Sequence, residues 1–120
     1  MILESGSKIL VAHRRLFDTD GARFFVGTID GYEAGVARAT GYSWVRDLYS
    51  GKFIRKNEQR TKIFAVGSGT LIVYSLPNSI DMSRLKFEQT EMQTLLLDGA
   101  SFKMDLSETE HEPTKPKKLK

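Results

Sequence analysis

Residues 22–45, "ARFFVGTIDGYEAGVARATGYSWV", decide the fold. The segments on either side of the central "DGYEAG" are rich in β-branched and aromatic residues, a composition typical of β-strands. The aspartate and glycines of "DGYEAG" favour a tight turn between those segments. The pattern therefore predicts two consecutive strands, 22–30 and 35–45, joined by a turn.

Each predicted strand carries a glycine in its interior, Gly27 in the first and Gly41 in the second. Glycine weakens a strand, so its presence there usually marks a sharp bend or a bulge. A small sheet that curves strongly requires such positions. We therefore expect the sheet to be strongly curved at these glycines.

The rest of the chain continues the pattern of short β-rich runs separated by turn residues. Further runs lie at 8–17 and 52–55 and within 60–77 and 91–108, while 78–85 can form one helical turn. The sequence predicts an all-β fold: a small antiparallel barrel or two-sheet sandwich of about eight short strands, with at most one short helical turn. A barrel is preferred, because closure removes exposed strand edges.

The length of 120 residues fits one compact domain. We predict a single β domain over residues 1–106 and a disordered, charged C-terminal tail over 107–120, which has almost no large apolar residues.

The segment 91–108 predicts a hairpin with a defined register. Asp98–Gly99 suits a two-residue type I′ turn, which would place Leu97 opposite Ala100. The residues expected on the core face of this hairpin are Leu95, Leu97, Phe102, Met104 and Leu106.

A second hairpin is predicted within 60–77, with a short loop at Gly67–Ser68–Gly69. The run 71–74, "LIVY", is apolar at consecutive positions, as in strands that are covered on both faces. We expect this run inside the barrel or beneath a partner.

Composition excludes several kinds of chemistry. The chain has no cysteine, so it forms no disulfide and no thiolate nucleophile or thiolate metal site. It shows no signal-peptide pattern and no stretch approaching the roughly 20 apolar residues of a membrane span. These features predict a cytoplasmic protein.

Catalytic motifs are absent from the sequence. His13 is the only histidine in the predicted domain, and no carboxylate lies near it in sequence. No serine lies in a G-x-S-x-G elbow, "GSGT" at 67–70 lacks the P-loop order, and "DTDG" at 18–21 lacks the flanking acids of a calcium loop. The sequence favours a non-catalytic protein with no catalytic residue, no cofactor and no metal.

Residues 42–63 carry six basic and two acidic side chains, whereas the formal net charge of the whole chain is +3. Strand alternation lets aromatic and basic residues of this stretch share a face, an arrangement that holds single-stranded nucleic acid in some barrels. The alternative is that the rings belong to the core and "RKNEQR" at 55–60 is a solvated loop. The candidate contact residues for nucleic acid or a partner are Trp44, Arg46, Tyr49, Lys52, Arg55, Lys56 and Arg60.

Three functions remain open from the sequence. The first is a non-catalytic protein-interaction or assembly module, with a protein partner or self-association, suggested by the two-sided apolar run 71–74. The second is binding of single-stranded nucleic acid or another polyanion through the basic-aromatic face at residues 44–62. The third is a small-ligand binder or enzyme that uses the barrel mouth around His13.

Overall fold

A computed structural model describes residues 3–13, 23–47, 49–89, 93–99 and 102–106. The chain divides into two compact units, Met1–Ile80 and Asp81–Lys120, which are described separately below. The described residues form antiparallel strands and a single 3-10 turn, which confirms the all-β prediction. A single domain over 1–106 stays a prediction, and the predicted tail 107–120 lies outside the described residues.

The first unit contains one six-stranded antiparallel sheet. Its pairing order is β4-β3-β2-β1-β6, and β5 pairs with the same edge of β3 as β4 does. The strands are β1 (Lys8–His13), β2 (Arg23–Glu33), β3 (Val36–Arg46), β4 (Phe53–Arg55), β5 (Arg60–Ala65) and β6 (Leu71–Leu76).

Strands β2 and β3, which the sequence predicts as two strands joined by a turn, pair with each other as a long hairpin. Its turn residues, Ala34 and Gly35, both have positive φ angles, as a type I′ turn requires. A register shift lies between Ile29 and Gly31, so Asp30 is an extra residue in β2.

Gly27 and Gly41 are paired with each other across β2 and β3. A Cβ atom on Gly41 would overlap the carbonyl oxygen of Val26, and one on Gly27 would lie 2.6 Å from the carbonyl oxygen of Thr40. The two backbones therefore approach too closely for any side chain at either position.

The sheet curls so strongly that its two ends meet. Strands β5 and β6 lie at opposite ends of the pairing order, yet only residues 66–70 connect them. Apolar side chains from both ends pack on one core, on what we call the inner face of the sheet. That core comprises Leu3, Ile9, Val11, Phe25, Ile29, Ala37 and Ala39, with Tyr32, Phe64, Val66, Leu71 and Val73 packed against it.

The sheet is not a closed barrel, and the predicted hairpin within 60–77 is wrong. In the described part of the chain, β5 pairs with β3 and β6 with β1, and no register joins β5 to β6. The two ends of the sheet are joined by side-chain packing on the core and not by backbone pairing.

The apolar run of β6 is divided between the two faces of the sheet. Leu71 and Val73 pack on the inner core, while Ile72 and Tyr74 lie on the opposite, outer face beside β1. All four side chains are half-buried. The run is thus partly covered within the chain. Further buried residues on the outer face are Leu10, Phe24, Val26, Trp44 and Leu76.

The second unit contains a 3-10 turn (Met82–Arg84) and a three-stranded sheet of β7 (Lys86–Gln89), β8 (Thr94–Leu97) and β9 (Lys103–Asp105). The 3-10 turn lies within the segment 78–85 where one helical turn was expected from sequence. Its cap is Asp81, whose carboxylate accepts a hydrogen bond from the Ser83 amide.

The predicted register of the β8–β9 hairpin is wrong by three residues, because Leu97 pairs with Lys103 and not with Ala100. The Asp98 carboxylate accepts a hydrogen bond from the Phe102 amide at 3.1 Å, which stabilises a five-residue loop in place of the two-residue turn. Leu96 is fully buried, although the predicted core face did not include it. Of the residues predicted for that face, Leu95 and Leu106 are buried, and Leu97, Phe102 and Met104 are half-buried.

We expect Gly41→Ala to lower the free energy of unfolding by about 3 kcal/mol or more, because the added Cβ would overlap the backbone of β2. Chemical denaturation measures the change. Gly67→Ala is the matched control: a Cβ there meets no atom within 4 Å, so the change should stay within about 1 kcal/mol. Equal effects of the two substitutions would contradict the close approach at Gly41.

Candidate anion-binding site

Two basic residues of β5 lie on the inner face of the sheet. Lys62 pairs with the core residue Ala39, and Arg60 pairs with Gly41. Paired residues share a face, and alternate residues of a strand point to the same side. Lys62 and Arg60 therefore extend the row begun by the core residue Phe64.

Two more basic residues reach the same face from β1 and β2. Val11 pairs with Phe25, and both belong to the inner core. His13 lies two residues after Val11, and Arg23 lies two residues before Phe25, so continuing the antiparallel register places them opposite each other. We call His13, Arg23, Arg60 and Lys62 the basic cluster.

The Lys62 side chain reaches across the glycine pair to an aromatic ring. Its Nζ lies 4.9 Å from the centroid of the Phe25 ring, within the range of a cation–π interaction. The same ring lies over Gly27, where a Cβ would stand 3.0 Å from its Cε2 atom. The missing side chains at Gly27 and Gly41 thus leave room for the stacked ring and ammonium group.

The positive groups of the basic cluster repel one another. Burial lowers the pKa of Lys62, and the charges of Arg23 and Arg60 lower it further. Burial also lowers the pKa of His13, with the charges of Lys62 and Arg23 as additional causes. Both groups are half-buried, so these charges interact more strongly than they would in bulk water.

Counter-charges are scarce around the basic cluster. The guanidinium of Arg60 forms an ion pair with Glu58, with 2.8 Å between Nη2 and Oε1. Among the described residues, neither Arg23 nor Lys62 forms an ion pair with a carboxylate. A bound oxyanion would supply the missing negative charge and relieve the repulsion.

The structure distributes the seven residues predicted from sequence over both faces and two loops. Arg60 lies on the inner face, whereas Trp44, Arg46 and Arg55 lie on the outer face at the paired ends of β3 and β4. The remaining three predicted residues are exposed side chains in connecting loops: Tyr49 and Lys52 between β3 and β4, and Lys56 after β4. Their role in binding stays a prediction.

The aromatic residues of this region differ in accessibility. Trp44 is only 8% exposed, so it offers little ring surface to a ligand. The Arg55 guanidinium lies 4.5 Å from the centroid of the half-buried Tyr42 ring. Tyr49, in contrast, is fully exposed.

A hydrogen-bonded turn holds Tyr49 in solvent. The Asp47 carboxylate accepts hydrogen bonds from the Tyr49 amide at 3.2 Å and from the Ser50 hydroxyl at 2.8 Å. These bonds lower the pKa of Asp47, with the Ser50 hydroxyl as the main cause. The turn therefore fixes the backbone of Tyr49 and leaves its ring accessible, three residues before Lys52.

Sequence reasoning missed the grouping of His13 and Arg23 with Lys62 and Arg60. The sequence alone indicates that Arg60, Lys62 and Phe64 share one face, because they lie at alternate positions of one strand. The other half of the basic cluster comes from strands distant in sequence, and only the observed register brings them together.

Among the described residues, no group of three or more His, Asp or Glu side chains is placed to hold a metal ion. The Thr40 hydroxyl donates a hydrogen bond to the Asp30 carboxylate at 2.6 Å. This pair lies on the outer face, whereas His13 lies on the inner face. Within the described ranges no helix is long and apolar enough to cross a membrane.

Comparisons with known proteins give no family. No protein-family profile, curated protein sequence or solved structure matches this chain. The function must therefore be argued from the residues themselves.

We expect His13 to titrate below its ordinary pKa of about 6.5 in the native protein. Between pH 6.5 and that lowered value the unfolded chain binds more protons than the native one, so acidification through this window lowers the free energy of unfolding. NMR titration of the imidazole measures the pKa, and denaturation of wild type and His13→Gln measures the stability difference.

Lys62→Gln should raise the pKa of His13 towards its ordinary value, because it removes the largest charge effect on the imidazole. Lys103→Gln, on an exposed lysine of β9, should leave the pKa unchanged. A native His13 pKa at or above about 6.5 would contradict an uncompensated basic cluster.

Proposed function

We propose that this protein is a binding module for a polyanion, with single-stranded nucleic acid as the ligand that suits it best. The observation that carries the proposal is the half-buried Lys62, stacked on Phe25 near Arg23 with no ion-pair partner among the described residues. Keeping such charges unpaired costs stability, which is typical of functional sites.

Positive charge continues from the basic cluster around the edge of the sheet. Strands β4 and β5 pair with the same side of β3, and the exposed loop 56–59 between them carries Lys56. Beyond it, Arg55 and Arg46 lie on the outer face. A basic track of this kind suits a flexible anionic backbone, which can follow a curved surface.

Stacking surface is available beside this track. Tyr49 is fully exposed at its ordered turn, and Arg55 presents a guanidinium plane against Tyr42. Base stacking on such groups contributes about 1–3 kcal/mol per base and tolerates any sequence. Because Trp44 is buried, we assign the stacking role to Tyr49.

We expect a labelled single-stranded oligonucleotide of about 12 nucleotides to bind, with an affinity that falls steeply as salt rises. Arg23→Gln and Lys62→Gln should each weaken binding roughly 5- to 10-fold and reduce the slope of log Kd against log salt by about 0.7, because each removes one phosphate contact. Fluorescence anisotropy at several salt concentrations measures both quantities.

Lys103→Gln is the matched control, since it removes one exposed lysine from the other sheet, and it should change the affinity less than about twofold. Absence of binding at low salt, or binding that does not depend on salt, would contradict the proposal.

A second candidate function is self-association or binding of a protein partner. It is supported by exposed apolar side chains on the outer face at the edge strand β5: Ile63 is 70% exposed, and its diagonal neighbour Val36 is 43% exposed. Such residues at a sheet edge favour contact with another chain. A mass that rises with concentration in wild type but not in Ile63→Asp, measured by light scattering, would support this function.

The third function expected from sequence, a small-ligand or catalytic site around His13, falls on the same basic cluster. The enzyme version stays a prediction.

A further inference from the structure

We propose that the basic cluster recognises a phosphate monoester, such as the terminal phosphate of a nucleic-acid strand, in preference to the internal diesters of the chain. This inference rests on the proposed function: the basic cluster can contact a backbone phosphate like the outer track, but it binds a terminal phosphate more tightly because that group is a dianion.

The charge of the basic cluster matches a dianion. Arg60 is already paired with Glu58 at 2.8 Å, and the lowered pKa of His13 favours its neutral form at neutral pH. Two positive charges then remain without a described counter-charge, those of Arg23 and Lys62. A phosphate monoester carries about −1.5 to −2 at pH 7, whereas a diester carries a single negative charge and would leave one cation unpaired.

The inner face is closed behind the basic cluster. Val11, Phe25 and Ile29 are each at most 2% exposed and fill the space next to the cluster along β1 and β2. The packed core leaves no space behind the basic cluster, so a ligand reaches half-buried Lys62 and exposed Arg23 from the solvent side. The preference for a terminal group therefore follows from its charge.

The donors at this site suit a phosphate group. The planar Arg23 guanidinium can donate two parallel N–H hydrogen bonds to two oxygens of one phosphate. The Lys62 ammonium, which lies over the Phe25 ring, has three N–H donors. Neutral His13, opposite Arg23, can donate one hydrogen bond from its ring. Binding of a dianion next to His13 would also raise the pKa of the imidazole, which NMR titration of His13 with and without phenyl phosphate measures.

The test compares three oligonucleotides of the same sequence, carrying a 5′-phosphate, a 3′-phosphate or hydroxyl groups at both ends, by anisotropy competition. One of the two phosphorylated strands should bind at least about tenfold more tightly than the hydroxyl strand, because it adds a dianion at the basic cluster. Lys62→Gln should abolish this preference. Arg55→Gln, on the outer face, should weaken all three strands by the same factor and leave the preference intact.

Phenyl phosphate provides an independent probe of the site. It should bind in calorimetry, compete with the phosphorylated strand and lose affinity in Lys62→Gln but not in Lys103→Gln. Binding of phenyl phosphate without binding of any oligonucleotide would support the monoester site and contradict the polyanion function.

Two further outcomes would overturn the inference. Equal, salt-dependent affinities for all three strands would remove the monoester site while the polyanion function stands. Failure of phenyl phosphate and of every strand to bind at low salt would remove both.

Discussion

The close approach of β2 and β3 at the Gly27–Gly41 pair is the constraint on which the rest of the structure depends. Because neither glycine has a side chain, the backbones can approach there, and the space beside them on the inner face is open to neighbouring side chains. The Phe25 ring occupies part of that space, and the Lys62 ammonium lies over the ring. The same hairpin supplies core side chains against which both ends of the sheet pack.

The inner face serves two purposes along its length. One part is the apolar core, where Ile9, Ile29 and Ala39 exclude water. The part next to it carries half-buried Lys62 near exposed Arg23 and Arg60, and the partial burial of Lys62 lowers its pKa. The Phe25 ring offsets some of the desolvation cost, but among the described residues no carboxylate pairs with that lysine. An arrangement that is unfavourable for the isolated protein becomes favourable when an anion binds, which is why we assign binding to this part of the sheet.

Local patterns in the sequence predicted the strands well and their partners less well. The strands β2 and β3 and the turn between them were readable because each depends on contiguous residues. The glycines before β6 marked a turn correctly, but they did not reveal that β5 and β6 pair with different strands, since that choice depends on contacts distant in sequence. The β8–β9 register failed because one side chain, Asp98, changed the loop length. For the site, the density of basic residues in the sequence identified Arg60 and the candidate residues of the outer face. The proximity of Lys62 to Arg23 was not predictable, because it depends on how distant strands pair.

The most direct test of the basic cluster as an anion site is a two-dimensional ¹H–¹⁵N NMR titration of the intact protein with pyrophosphate. We predict saturable shifts concentrated at the backbone amides of His13, Arg23, Gly27, Gly41 and residues 60–62, which surround Lys62 on the inner face. Shifts confined to the turn at 47–52, or the absence of saturable shifts anywhere, would contradict the assignment of anion binding to the inner face.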